Sequence, residues 1–143
     1  MSSICVGQMA TTARARSGAV TKRVLVVDDH PAVSLALRVA FRLDGRFAVT
    51  DSAATGAEGL QKLGGQDAVL LDLHLPDMAG SDVVSAFRER DGGVPLILHS
   101  SVDDSPGVDA VRETVDAVVL KSRVDDVLAA LARLTDGTLD RAR

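Results

Sequence analysis

The sequence predicts an α/β protein: a doubly wound (βα)5 unit with one five-stranded parallel sheet and helices on both of its faces. Two patterns predict it. Five short apolar runs are continuous rather than alternating, as strands covered on both faces require. Each run is followed by a segment with helical spacing, so strands and helices alternate along the chain. The supply of side chains agrees. Of 143 residues, 46% are hydrophobic but only 2% aromatic, so the core must be aliphatic, built from Val, Leu and Ala.

The elements follow in order. Val24–Val27 is a β-branched and Leu run closed by Asp28 and Asp29. Pro31 suits the first turn of a helix whose buried stripe is Val33, Leu37, Ala40 and Phe41. Phe47–Thr50 is a short second strand. Thr55 and Glu58 have capping-box spacing and open a helix ending near Gly64 and Gly65. Ala68–Leu71 is the third strand, closed by Asp72, and Ser81 is placed to cap the helix carrying Val83, Val84 and Phe87. Leu96–His99 is the fourth strand, and Ser105 with Pro106 reads as an N-cap followed by an N1 proline. Ala117–Leu120 is the fifth strand, closed by Lys121. Ser122 is expected to cap a last helix with Asp125 and Asp126 in its first turn and a stripe of Val124, Val127, Leu128, Leu131 and Leu134. That stripe packs in the core, and an exposed part of it would be a dimer face.

Composition excludes several classes. Without aromatic platforms, modules that stack single-stranded bases are disfavoured. A single cysteine, Cys5, forms no internal disulfide framework and no cysteine-rich zinc site, and fits a reducing, cytoplasmic setting. No apolar run approaches the ~20 residues of a membrane span. The net charge of −4 hides a split: residues 1–23 carry four cations and no acid, so the rest carries −8. An acidic body lacks the basic footprint of nucleic-acid binding. Residues 1–21 lack the apolar core of a secretory signal and read as a flexible leader, 22–134 as the domain, and 135–143 as a tail.

Ligands of open parallel sheets bind beyond the carboxyl ends of the strands. Those ends hold Asp28 and Asp29, Asp72, Ser100 and Lys121. Crowded carboxylates repel one another, and a hard divalent cation relieves this. Mg²⁺ suits a few carboxylates plus water and phosphate oxygens. A carboxylate beside it can attack a phosphoryl donor to give an aspartyl phosphate. An ammonium and a hydroxyl would then hold the phosphoryl oxygens. Lys121 is one of three lysines against thirteen arginines, so a lysine at this strand end is informative.

With these residues in place, the chain resembles the receiver domain of two-component response regulators, a flavodoxin-like fold. The matching stretches are Arg23–Pro31, Val69–Gly80, Pro95–Ser100 and Val118–Lys121. The Asp-His-Pro at 29–31 most resembles receivers joined to LuxR-type helix-turn-helix outputs. The resemblance implies roles. Asp72 is the phosphoacceptor, Asp29 ligates Mg²⁺ directly, Asp28 mainly through water, and the backbone carbonyl of His74 completes the protein ligands. Lys121 contacts the phosphoryl group and Ser100 hydrogen-bonds it, with Ser101 adjacent and able to substitute. Pro76 and Gly80 shape the loop. A sensor histidine kinase or phosphotransfer protein would be the donor, a downstream protein the target, with homodimerisation as one output.

Three positions depart from the family pattern. Ser122 stands where proline is common, Val118 where a switch aromatic is usual, and Ser100 to Lys121 is one residue short, implying a shortened or remodelled fourth helix. His74 and Val102 occupy positions that tune hydrolysis, and Val102 cannot orient water, implying slow self-dephosphorylation. His30, His74 and His99 read as loop histidines at strand ends, with a transition-metal site as the alternative. Alternation puts His99 and Ser100 on opposite faces. Two rival functions remain: a degenerate receiver acting as a phosphorylation-independent interaction module, and an Asp-nucleophile phosphatase. The latter usually carries an acid two residues beyond its nucleophile, where His74 stands. Nine residues after the last expected helix are too few for a helix-turn-helix. A stand-alone receiver or the receiver part of a longer transcription factor are both expected forms.

Overall fold

The computed structural model describes residues 21–101 and 105–142. Residues 1–20 of the expected leader, Cys5 among them, and Val102 lie outside the described residues. The elements are β1 Lys22–Val27, α1 Pro31–Asp44, β2 Phe47–Ala53, α2 Gly56–Lys62, β3 Ala68–Asp72, α3 Gly80–Arg90, β4 Leu96–Ser100, α4 Ser105–Val111 with a 3-10 turn at Arg112–Thr114, β5 Ala117–Leu120, and α5 Val124–Ala142. The sheet order is β2-β1-β3-β4-β5, and every neighbouring pair is parallel.

The continuous apolar runs serve two cores because side chains alternate along a strand. Leu25, Val27, Val69, Leu71, Leu96 and Leu98 face α2, α3 and α4, where Val83, Val84 and Phe87 complete the cluster. Val24, Val26, Ala68, Leu70, Ile97 and Val119 face α1 and α5, against Leu37, Phe41, Val127 and Leu131. Gly59 lets α2 lie close on the sheet, since a Cβ there would come within 2.9 Å of Val27 and 3.0 Å of Phe87. At the end of α1, Gly45 takes a left-handed conformation (φ 89°) and donates its N–H to Phe41 O, a common glycine helix ending.

Several boundaries differ from the sequence reading. β2 runs on to Ala53, because an edge strand tolerates the half-buried polar Asp51 and Ser52, and its register on β1 slips at Thr50. Ser81 does not cap α3. The helix begins at Gly80 with Ala79 in the cap position and no side-chain cap. α4 begins at Ser105, the residue expected as its cap, and with seven residues before the 3-10 turn it is short, as the reduced spacing implies. Ser122 is likewise not the cap of α5. Arg123 precedes the helix, and its carbonyl accepts from Asp126 N and Val127 N. The expected tail from 135 is helical through Ala142, with the buried Thr135 hydroxyl donating to Leu131 O at 2.7 Å. No cis peptide bond occurs among the described residues.

Candidate phosphoacceptor site

The parallel order brings the ends of β1, β3, β4 and β5 together, and the residues that close them meet. Asp72 is the last residue of β3, with 1% of its side chain exposed. Its Oδ1 accepts the His74 N–H at 3.1 Å, and its Oδ2 lies 3.2 Å from Lys121 Nζ. Asp28 follows β1 and is equally buried. Its Oδ1 accepts from His30 N at 2.9 Å and lies 2.8 Å from His30 Nδ1, while its Oδ2 lies 2.9 Å from Lys121 Nζ. Asp29 is more exposed, with Oδ1 3.1 Å from His30 Nδ1. One ammonium therefore faces two buried carboxylates.

The electrostatics follow from that crowding. Burial raises the pKa of Asp72, the charge of Asp28 adds to it, and the His74 N–H and Lys121 oppose it. Burial works to lower the pKa of Lys121, but close contact with Asp28 and the charges of Asp72 and Asp28 outweigh it, so the net shift is upward. His30 is raised, chiefly by its hydrogen bond to Asp28.

Ser100 is the last residue of β4 and is buried; its carbonyl accepts the Lys121 N–H at 2.7 Å, which fixes where the lysine leaves the sheet. Ser101 lies just past the strand and is exposed. His74 lies in the β3–α3 loop with an exposed side chain. Thus Asp28, Asp29, Asp72 and Lys121 converge as expected, with His74 tied to Asp72 by its N–H. His30, read from the sequence as a loop histidine, joins the cluster through its ring contacts with Asp28 and Asp29. His99 is not a loop histidine: it is 2% exposed inside β4. Asp77 was missed. Its carboxylate accepts from Gly56 N at 2.8 Å and Ala57 N at 3.0 Å, capping α2 from the β3–α3 loop. Those two bonds lower its pKa.

The donor set fits Mg²⁺. Ligand atoms of Asp28, Asp29, His30 and Asp72 all lie within 4.8 Å of one another. Asp28 Oδ2 and Asp72 Oδ2 are buried and make no aligned hydrogen bond, although Lys121 is at ion-pair distance. Carboxylate oxygens with lone pairs to spare are what a hard cation seeks.

Comparison with known proteins decides the family. Residues 24–133 match the model of the response regulator receiver domain. The chain belongs to that family. It is 36% identical over 109 residues to the transcriptional regulatory protein KdpE of Mycobacterium tuberculosis, covering 76% of this chain and 48% of that protein. It is 38% identical over 125 residues to the transcriptional regulatory protein PrrA of the same species, covering 82% and 53%. This receiver thus spans about half the length of the curated relatives it matches. Among solved structures, a CheY-like receiver domain protein from Methanospirillum hungatei JF-1 superposes with a TM-score of 0.71 at 25% identity, over 85% of this chain and 99% of that one. The LuxR-family DNA-binding response regulator of Staphylococcus aureus shares the fold, with a TM-score of 0.71 at 19% identity over 80% and 98%. No helix among the described residues is long and apolar enough to cross a membrane.

Proposed function

We propose that this receiver accepts a phosphoryl group on Asp72 from a histidine kinase or phosphotransfer protein, in a Mg²⁺-dependent step, and so switches a protein-interaction surface. The observation that carries the reading is Asp72 itself: a buried carboxylate made more basic by burial, held by the His74 N–H, with an ammonium 3.2 Å away. Attack by an Asp72 oxygen on phosphorus forms the new P–O bond as the donor's bond to phosphorus breaks. Lys121 keeps the carboxylate ionised beforehand and neutralises phosphoryl oxygens afterwards. The Ser100 hydroxyl, carried at the adjoining strand end, donates to one of those oxygens. Asp28, Asp29, Asp72 and the His74 carbonyl would hold Mg²⁺, which supplies charge neutralisation to the reacting phosphoryl group.

The donor reaches the site along α1. Leu35, Val39 and Leu43 form a stripe at four-residue spacing and are 64%, 53% and 82% exposed. A groove of about 360 Å³ runs from this helix to Asp28 and Asp29, past Pro31, Ser34 and Arg38. An apolar surface on the partner would cover the stripe. The α5 stripe packs in the core as expected, through Val127 and Leu131, with Leu128 and Leu134 partly buried against them. The setting we assign is cytoplasmic.

Incubation with a small acyl phosphate and Mg²⁺ tests the reading. The intact mass should rise by one phosphoryl group, and Asp72→Asn should abolish the rise. No gain in the native chain would favour a phosphorylation-independent interaction module. Sustained hydrolysis of phosphate esters would favour a phosphatase.

A further inference from the structure

A polar row crosses the carboxyl edge of the sheet on its α1/α5 side. Val26, Leu70, Ile97 and Val119 belong to the core on that side. Two residues further along each chain stand Asp28, Asp72, His99 and Lys121, which alternation returns to the same face. His99 is the register neighbour of Asp72 on one side and of Val119 on the other. Because β4 lies between β3 and β5, Lys121 must cross the end of β4 to reach Asp72 and Asp28. His99 sits within the row that the lysine bridges.

Its condition is unusual. His99 is 2% exposed, and neither ring nitrogen has a hydrogen-bond partner among the described residues. Burial, with a further push from Lys121 and opposition from Asp28, lowers its pKa to about 4. The ring is therefore neutral at pH 7, with one N–H and one lone pair both unanswered. Folded proteins satisfy nearly all such groups, and an orphan penalises the state that leaves it so. As mere packing, an apolar side chain would fill this place without that penalty. The three phenylalanines lie within the two cores, so His99 is the buried ring at this edge.

We propose that His99 is a coupling residue, unpartnered in the unmodified protein and hydrogen-bonded once Asp72 carries a phosphoryl group. The proposal rests on the phosphoacceptor reading of Asp72. Phosphorylation places new acceptor oxygens on the register neighbour of His99 and gives Lys121 new partners. The state that answers the ring is favoured by what the orphan costs in the other, so the ring adds to the free-energy difference between the two. His99 acts here as a positioning residue, through the row and not on the reacting atoms.

Imidazole ¹⁵N spectra of the full chain, with and without beryllofluoride plus Mg²⁺ as a phosphoryl mimic, test this. His99→Gln identifies the signal. The His99 ring should show a hydrogen-bonded, exchange-protected N–H only with beryllofluoride. In addition, His99→Leu should raise the thermal midpoint of the unmodified protein and shrink the rise that beryllofluoride induces. A ring signature that is unchanged, or already hydrogen-bonded without the mimic, overturns the proposal, as does an undiminished rise in His99→Leu. If His99→Leu does not fold, the native spectra still decide. A native protein that ignores beryllofluoride overturns the phosphoacceptor reading and the coupling together, whereas a normal response with an unmoved ring removes His99 alone.

Discussion

The two edges of the sheet both carry acidic residues and use them in opposite ways. At the amino edge Asp67, Asp91 and Asp116 are each answered by backbone. Asp67 accepts the Arg23 N–H at 2.7 Å, and Asp91 accepts from Gly93 N and Val94 N. Asp116 accepts from Leu96 N and from Arg88 Nη2, both at 2.8 Å. These acids are turn and edge fasteners. At the carboxyl edge Asp28 and Asp72 are buried, share one lysine, and each keep an oxygen without an aligned hydrogen bond. A carboxylate satisfied by N–H groups has little left to offer a ligand. One buried and under-satisfied is poised for a cation or a phosphoryl group. The contrast separates acids satisfied by backbone from acids with an oxygen to spare, without reference to any relative.

Breaking the carboxyl edge should have the largest effect. Lys121→Met leaves two buried carboxylates facing each other, and should cost about 3 kcal/mol at pH 7 and abolish phosphoryl uptake. Urea unfolding at pH 7 and at pH 4 checks the cause. The cost should shrink at pH 4, where protonation relieves the repulsion, and an equal loss at both would show that lost packing dominates. At the amino edge, Asp116→Ala strands the Leu96 N–H and should cost about 1–2 kcal/mol. Its phosphoryl uptake from a small donor should match the native rate, since nothing at the other edge changes.

The sign of a pH profile sharpens the comparison further. Asp72 has its pKa raised by folding, so the native state binds more protons than the unfolded state between the two values. Stability from this group is present below the unfolded pKa and is lost as pH rises through the folded one. Asp72→Asn should remove that loss, leaving the variant at least as stable as the native chain at pH 7. Denaturant midpoints between pH 3 and 8 would reveal it, and a variant that loses stability as pH rises in step with the native chain would refute it. The smallest structural effect belongs to Leu43→Ser, which should shift stability by less than about 0.5 kcal/mol. Phosphorylation by a small donor should be unaffected, while transfer from a cognate kinase should slow.

Much of this was legible in the sequence, for a physical reason. A parallel strand buried on both faces leaves a continuous apolar run, and the first polar residue after it must lie at the sheet's edge. That rule located Asp28, Asp29, Asp72 and Lys121 together. It was less able at β2, an edge strand whose polar, half-buried Asp51 and Ser52 break the run. The end of α5 was missed too: the helix runs on to Ala142, with the buried Thr135 hydroxyl donating back to Leu131 O. Helix starts were misplaced at Ser81, Ser105 and Ser122 because a serine near a start offers a cap without showing whether it is used. His99 was misread because the pattern of a run gives no burial for a terminal histidine. Asp77 was missed because its partners lie on another helix, about twenty positions earlier.

Peptide mapping of the phosphorylated chain tests the contrast between the edges most directly. After reaction with a small acyl phosphate and Mg²⁺, the added mass should fall on the single peptide that contains Asp72, and peptides containing Asp67, Asp91 or Asp116 should carry none. Label at an amino-edge acid, or label that persists in Asp72→Asn, would contradict the account.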